Sequence, residues 1–309
     1  MAVLFSIVYG LVVLAANYMG ITGFFFYGVI ATIMMLIQYM IGPKMVEWSM
    51  GVKYVTEAQY PALHRMVTEL ARDAGIPKPR IGIARIPIPN AFAFGRWAKD
   101  GRVCVTEGIM TLLNEKELRA VLAHEISHLK HKDVAIITMI SVIPMICWYF
   151  AWNQLFSGGR ERGNGILIGI VALIIYFITN LLVLYVSRIR EYYADEGAVK
   201  LGSSPHHLAS ALYKLVYGSA RVSKESLKPI EGMKAFFAND PSRAGNDIRE
   251  LSQIDLDGSG TIDINELMAL RTLPIKVKTT DKLMEMFSTH PNMLKRIQRL
   301  SSLQGISAY

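Results

Sequence analysis

Between Met1 and Pro43 the chain contains no Asp, Glu, Lys or Arg, leaving room for two membrane-crossing helices of about 20 residues each, hinged near Asn17 to Gly23. Two more uncharged blocks, residues 134–159 and 163–187, flank the polar stretch Arg160-Glu161-Arg162. A bilayer offers the backbone no water, so blocks of this length predict helices, here two hairpins and four spans. The 52% hydrophobic content is gathered into these blocks and does not recur with the period of a soluble core. A removable secretory leader is disfavoured, because the first block has no basic start and continues into a second apolar segment.

An even number of crossings puts residues 44–133 and 188–309 on the same side, where they can assemble one domain. Near the span ends on that side lie Lys44, Lys53, Arg119, Lys130, Lys132, Arg188 and Arg190, against Arg160 and Arg162 in the opposite loop. This bias predicts a cytoplasmic domain on a multi-pass protein of the cell membrane. The net charge of +8 fits basic residues facing anionic lipid, and no nucleic-acid-binding signature accompanies it. Cys104 and Cys147 are the two cysteines, so neither a disulfide framework nor a thiolate metal site is expected. The expected organisation is a hairpin at 1–43, a first part of the soluble domain at 44–133, a second hairpin at 134–187 and a second soluble part at 188–309.

His124-Glu125-Ile126-Ser127-His128 places two imidazoles on one face of a helix, where they can share a zinc ion, with Glu125 set to work on water. The preceding residues 117–123 are good helix formers with apolar residues at helical spacing, so the helix is expected independently of the motif. Catalytic zinc takes three protein ligands and keeps a fourth position open, so one more His, Asp or Glu is needed. Glu191, just past the last apolar block, is the best candidate. Asp195, one turn later, suits a carboxylate that holds the outer N–H of a ligand imidazole. A solvated acidic face beside Arg188 and Arg190 is the plainer alternative. His131 falls near the same helix face but lies about 10 Å along the axis from His124, too far to share the ion; with Lys130 and Lys132 it reads as a basic cluster at the membrane interface. The motif helix is expected to continue directly into the next span.

Residues 255–266, DLDGSGTIDINE, match the twelve-residue calcium loop of an EF-hand. Asp255, Asp257 and Ser259 supply oxygens at positions 1, 3 and 5, Thr261 its carbonyl at 7, Asp263 position 9 and Glu266 a bidentate carboxylate at 12, with Gly260 at the sharp turn. Short amphipathic stretches at 247–254 and 264–270 are the expected flanking helices, in an insertion at about 246–271. An Asp- and Gly-rich surface turn is the alternative, and no second loop pairs with this one.

Together, HEISH, the four apolar spans, Arg190-Glu191-Tyr192-Tyr193-Ala194-Asp195 and Ser288-Thr289-His290-Pro291 resemble the HtpX-type membrane zinc metalloproteases. The prenyl-protein proteases carry similar zinc motifs but more spans than this sequence provides. The resemblance covers most of the chain. It implies a mainly α membrane protein, with four transmembrane helices fused to a zincin-like α+β domain carrying a small edge-exposed β-sheet. It further implies an endopeptidase with zinc on His124, His128 and Glu191, Glu125 as general base, His290 near the transition-state oxyanion and Arg296 bracing the Glu191 side; an ordinary helix N-terminus at Thr289-His290-Pro291 and a solvated cation at Arg296 are the plainer alternatives. Residues 80–84 and 103–106 favour strands; by the resemblance, the following Asn90 and Phe92 sit beside a cleft that binds an extended peptide as an added strand. A turn with a buried Phe pair is the other reading. The implied substrates are polypeptides, chiefly damaged or misassembled membrane proteins; the calcium loop is not part of the family pattern, and its position between the Glu191 helix and the His290 segment suggests that Ca²⁺ orders this insertion and adjusts access to zinc. The competing class is a calcium-responsive membrane scaffold that holds zinc without proteolysis. Spans free of ionisable residues disfavour a transporter.

Overall fold

The computed structural model describes residue 20 and residues 24–156, 162–221, 244–271 and 279–304. The first expected span and the Arg160-Glu161 loop lie outside these residues. In chain order the elements are α1 (Phe24–Ser49), β1 (Val52–Tyr54), α2 (Pro61–Ala74), β2 (Arg80–Ala84), β3 (Ala91–Phe94), β4 (Arg102–Thr106), α3 (Glu107–Leu112) and α4 (Glu115–Lys130). They continue as α5 (Asp133–Ile140), α6 (Val142–Phe156), α7 (Arg162–Lys200), α8 (Pro205–Ala220), α9 (Ala244–Leu251), α10 (Ile264–Ala269), α11 (Thr279–Met286) and α12 (Met293–Leu303). The chain divides into two compact units, Met1–Pro43 with Ala135–Val186, and Lys44–Val134 with Ser187–Tyr309.

Among the described residues three helical stretches are long and apolar enough to cross a membrane: Gly28–Ser49, Asp133–Leu155 and Gly165–Lys200. α1 runs past Pro43 to Ser49, beyond the boundary expected from charge alone. The second stretch is interrupted between α5 and α6 at Ser141, where Pro144 has no N–H to offer the Ile140 carbonyl. Trp148 packs against Trp152 and Tyr176, with ring centroids 5.7 and 5.0 Å away. Gly169 lets α7 approach α6, since a Cβ there would lie 2.7 Å from Leu155 Cγ. Leu36, Met139, Ile174 and Phe177 are exposed, as lipid-facing side chains must be.

The second unit is built on a four-stranded sheet of order β1-β2-β4-β3, with β2 and β4 parallel and both outer strands antiparallel to their neighbours. Alternation serves two cores. Ile81, Ile83, Val103 and Val105 join α2, α4, α8 and α12 in the main cluster, while Phe92, Phe94 and Cys104 pack with Val46, Met50 and Ile88 on the opposite face. α2 shows its amphipathic pattern in buried Leu63, Met66, Val67 and Leu70, begins at Pro61 and stops at Gly75 in the left-handed region (φ 70°).

α4 does not continue into the span as expected. It ends at Lys130, His131 caps it, Lys132 adopts φ 56°, and Asp133 starts a separate helix. The physical reason lies in the side chain of Asp133, which turns back toward the zinc motif.

Candidate metal centre

The N-terminus of α4 is closed by a capping box, in which Asn114 Oδ1 accepts from Glu117 N and Glu117 Oε2 accepts from Asn114 N, both at 3.0 Å. Buried Glu117 also accepts from Ser210 Oγ at 2.7 Å and Lys214 Nζ at 2.9 Å, which ties α8 to the same turn. On the other side α7 comes so close that a Cβ on Gly197 would lie 2.0 Å from Ser127 Oγ. This contact brings the charged end of α7 to the histidine face of α4. The apolar part of α7 ends at Ser187, and the residues from Arg188 onward belong to the second unit.

There His124, His128 and Glu191 converge. His124 Nε2 is 3.1 Å from His128 Nε2, and the Glu191 carboxylate faces both, with Oε2 3.6 Å from the first and Oε1 3.5 Å from the second. Zinc bonds of about 2.0–2.2 Å in a tetrahedron place ligand atoms roughly 3.3–3.5 Å apart, close to these separations, so the donor set fits that ion. The outer nitrogens agree. His128 Nδ1 lies 2.6 Å from Asp133 Oδ2, and His124 Nδ1 is 2.9 Å from Asp195 Oδ1, somewhat off the N–H direction. With a proton on each Nδ1, two Nε2 lone pairs and a carboxylate face one another, an arrangement suited to a cation among them.

Arg296 is the largest fully buried side chain of the described residues. Its Nε and Nη2 donate to the two oxygens of Asp195 at 2.9 and 2.6 Å, and its Nη1 stands 3.0 Å from Glu191 Oε2. Burial works against the negative forms of both carboxylates, yet the cations beside them prevail. His290 and Arg296 hold Glu191 well below the usual carboxylate range, and Arg296 and His124 lower Asp195. Burial likewise opposes a charged His124, but Asp195 and Glu191 raise it to about 10; a divalent ion would compete with that proton for the same lone pair. His290 Nδ1 is 3.5 Å from Glu191 Oε1, and neither of its buried ring nitrogens makes a hydrogen bond.

Glu125 is buried at 6% exposure, and burial pushes its carboxyl up, partly offset by His124, His128 and a hydrogen bond from the backbone of Ala93. That contact places edge strand β3 beside the motif. The side chains predicted to meet a substrate there do not face a cleft: Asn90 is fully buried, and the Phe92 ring stacks on Phe94 at 5.8 Å within the second core cluster. His131 is turned away from the ion position, with Nδ1 3.2 Å from Ser127 Oγ.

In the 255–266 loop the structure brings Asp255, Asp257 and Glu266 together as a second group able to hold an ion. Ser259 N donates to Asp255 and Asp257, Gly260 N donates to Asp255, and Gly258 and Gly260 take φ 69° and 76°. Asp263 instead caps α10, accepting from Glu266 N at 2.8 Å. Ser259 Oγ is engaged with Thr261 Oγ1 at 3.0 Å.

The sequence does not single out Asp133, and it offers Arg190 only as a basic residue near a span end and the first residue of the 190–195 motif, with no role in the site. The available signal was an acid directly after a basic helix end and five positions past His128.

The sequence model of peptidase family M48 matches residues 57–304. A protein named Protease HtpX homolog from Methanothermobacter thermautotrophicus is 55% identical over 213 residues, covering 69% of this chain and 81% of its own. One of the same name from Thermoplasma acidophilum is 31% identical over 321 positions, 97% of this chain and 94% of its own. Among solved structures, the crystal structure of S. mikatae Ste24p aligns with a TM-score of 0.57 at 14% identity, a likeness of fold covering 92% of this chain and 60% of that one.

Proposed function

The chain belongs to peptidase family M48 and is an HtpX-type membrane metalloprotease; from that premise we propose that His124, His128 and Glu191 hold the zinc ion the family implies and that Glu125 is the general base. The observation that carries this reading is the pair of Nε2 atoms 3.1 Å apart with the Glu191 carboxylate facing both, one oxygen 3.6 Å from His124 and the other 3.5 Å from His128, backed on the outer side by carboxylates. When bound, zinc supplies Lewis acidity for the peptide carbonyl and for water. Glu125, kept from the usual carboxylate range by burial, takes a proton from the attacking water and returns it to the departing amine. Asp195 fixes the His124 ring, and Arg296 holds Asp195 and Glu191 in place as one unit. His290, half-buried with ring nitrogens that make no hydrogen bond, is available to the oxyanion. An extended substrate lies along the backbone of β3, the outer strand beside Glu125.

Glu125→Gln tests the assignment. The purified variant should keep zinc and lose casein cleavage by about 10²- to 10⁴-fold, while a chelator silences the wild type. Normal cleavage by the variant overturns the general base. Full zinc content without chelator-sensitive cleavage in the wild type returns the scaffold reading.

On the membrane side the reading is of four spans fused to a zincin-like domain, with the second unit cytoplasmic. Support comes from the uncharged block preceding Phe24 and from Lys44, Lys53, Lys130 and Lys132 near the span ends. Protein segments emerging from the bilayer, chiefly of damaged membrane proteins, are the proposed substrates.

A second metal reading is supported by the convergence of Asp255, Asp257 and Glu266 within an EF-hand-patterned loop. The loop touches the zinc-bearing framework through Tyr213, which donates to Asp255 at 2.8 Å, and through Glu250 of α9, which accepts from Asn292 at the start of α12. Calcium is proposed to order α9 and α10 against α12, the helix that carries Arg296. Calorimetry should give measurable calcium binding for the wild type and none for Asp257→Ala; equal affinity removes the loop from the account.

A further inference from the structure

Each imidazole of the HEISH motif has its own outer carboxylate, and the two are built differently. Asp195, on the partner of His124, comes from the same helix as Glu191 and is part of the E-x-x-x-D pattern visible in the sequence. Asp133, on the partner of His128, is reached through a turn that departs from ordinary backbone geometry. Lys132 takes φ 56°, the one described non-glycine residue with a positive φ. That conformation is uncommon for a side chain such as lysine and persists where surrounding contacts favour it. Its effect here is to fold Asp133 back onto α4, so that Oδ2 reaches His128 Nδ1 at 2.6 Å.

The other oxygen of the same carboxylate, Oδ1, is taken by Arg190 Nη2 in a close ion pair. Arg190 precedes Glu191 on α7, and its Nη2 also donates to the His131 carbonyl at 3.2 Å, closing over the turn itself. Asp133 is 8% exposed and its partner's guanidinium is mostly covered, so the contact is shielded from water. One carboxylate thus links a histidine of one ligand helix to the arginine beside the glutamate ligand of the other.

We propose that Asp133, anchored by Arg190, is a positioning residue for the metal centre: it fixes the Nδ1–H form of His128, aims Nε2 at the ion, and locks α4 to α7 at the ligand separation. Arg190 acts through Asp133 and touches neither ligand atom. The inference rests on His128 and Glu191 being zinc ligands, and the test separates the two.

Zinc affinity is measured on the full-length protein in detergent by competition with a chromogenic chelator, and His128 is followed by imidazole ¹⁵N NMR in the zinc-free state. Asp133→Asn should weaken zinc binding about 10- to 100-fold, the range for removing the outer partner of a metal-bound histidine, and should give His128 a mixture of ring tautomers in place of one. Arg190→Gln should lower affinity severalfold alone and add nothing in the Asp133→Asn background, because the two act as one unit. A purely structural salt bridge would change melting temperature and leave zinc affinity and tautomer alone. Where Asp133→Asn fails to fold, Arg190→Gln, which keeps the carboxylate, carries the test by the same two readouts. Glu191→Gln is the control. If it loses zinc while Asp133→Asn, or Arg190→Gln in its place, binds within twofold of wild type, this proposal is overturned alone; if Glu191→Gln itself binds normally, the ligand set beneath it is overturned.

Discussion

Replacing Arg296 with methionine removes a guanidinium while keeping much of its volume, and it leaves Asp195 and Glu191 facing each other's charge in a buried site. The three ion contacts of Arg296 measure 2.6, 2.9 and 3.0 Å, and its side chain has no exposed surface. At an effective dielectric of about 20, a contact near 3 Å is worth roughly 5–6 kcal/mol before desolvation is subtracted. Removing one partner of such a buried set leaves a net loss of about 3–5 kcal/mol. For a domain of this size that corresponds to a melting point lower by about 6–20 °C. The loss should be smaller in zinc-loaded protein, because the ion's own charge then compensates Glu191. Arg296→Lys should recover part of the loss, since one ammonium cannot reproduce a two-point grip on Asp195 together with the Glu191 contact. Thermal melts in detergent, run with and without zinc, measure all three quantities. An Arg296→Met protein that melts within about 2 °C of the wild type in the zinc-free state contradicts the bracing role.

Two further outcomes follow from other parts of the fold. Gly197→Ala puts a methyl 2.0 Å from Ser127 Oγ, so it should destabilise the packing of α4 on α7 by about 1–3 kcal/mol, and adding Ser127→Gly should restore most of it; no rescue in a thermal melt means the close approach is not the cause. Arg96, and after it Arg102, hold Asp100 well below the usual carboxylate range, so its charge contributes stability that is present above the unfolded value near pH 4 and is lost as pH falls through the folded one. Asp100→Asn should therefore be less stable than the wild type at pH 7, with the gap narrowing below about pH 4; a gap that persists unchanged in acid refutes the ion-pair account.

How much was legible depended on whether the cause was local. Uncharged blocks declare spans because bilayer physics acts on every residue in them, and the HEISH helix is written in the helix formers that precede the motif. Glu191 and Asp195 were legible by spacing, and the structure brings both to the histidines. The break after Lys130 was not legible, because a left-handed lysine is stabilised by groups distant in sequence, above all Arg190. Asp133 was hidden for the same reason, its partner lying on another helix. β1 and β3 are three and four residues long, too short for alternation to register. Phe92 was read toward a substrate because an aromatic beside a cleft and an aromatic in a second core look identical in sequence; only the packing with Val46, Met50 and Ile88 separates them.

The account stands on one ion between two helices. Anomalous X-ray diffraction across the zinc edge, on crystals of zinc-loaded full-length protein, tests it most directly. The account predicts a strong peak about 2.0–2.2 Å from His124 Nε2, His128 Nε2 and a Glu191 carboxylate oxygen together. A zinc-loaded protein whose anomalous peak lies away from that triangle, or touches the histidines with Glu191 turned aside, contradicts it.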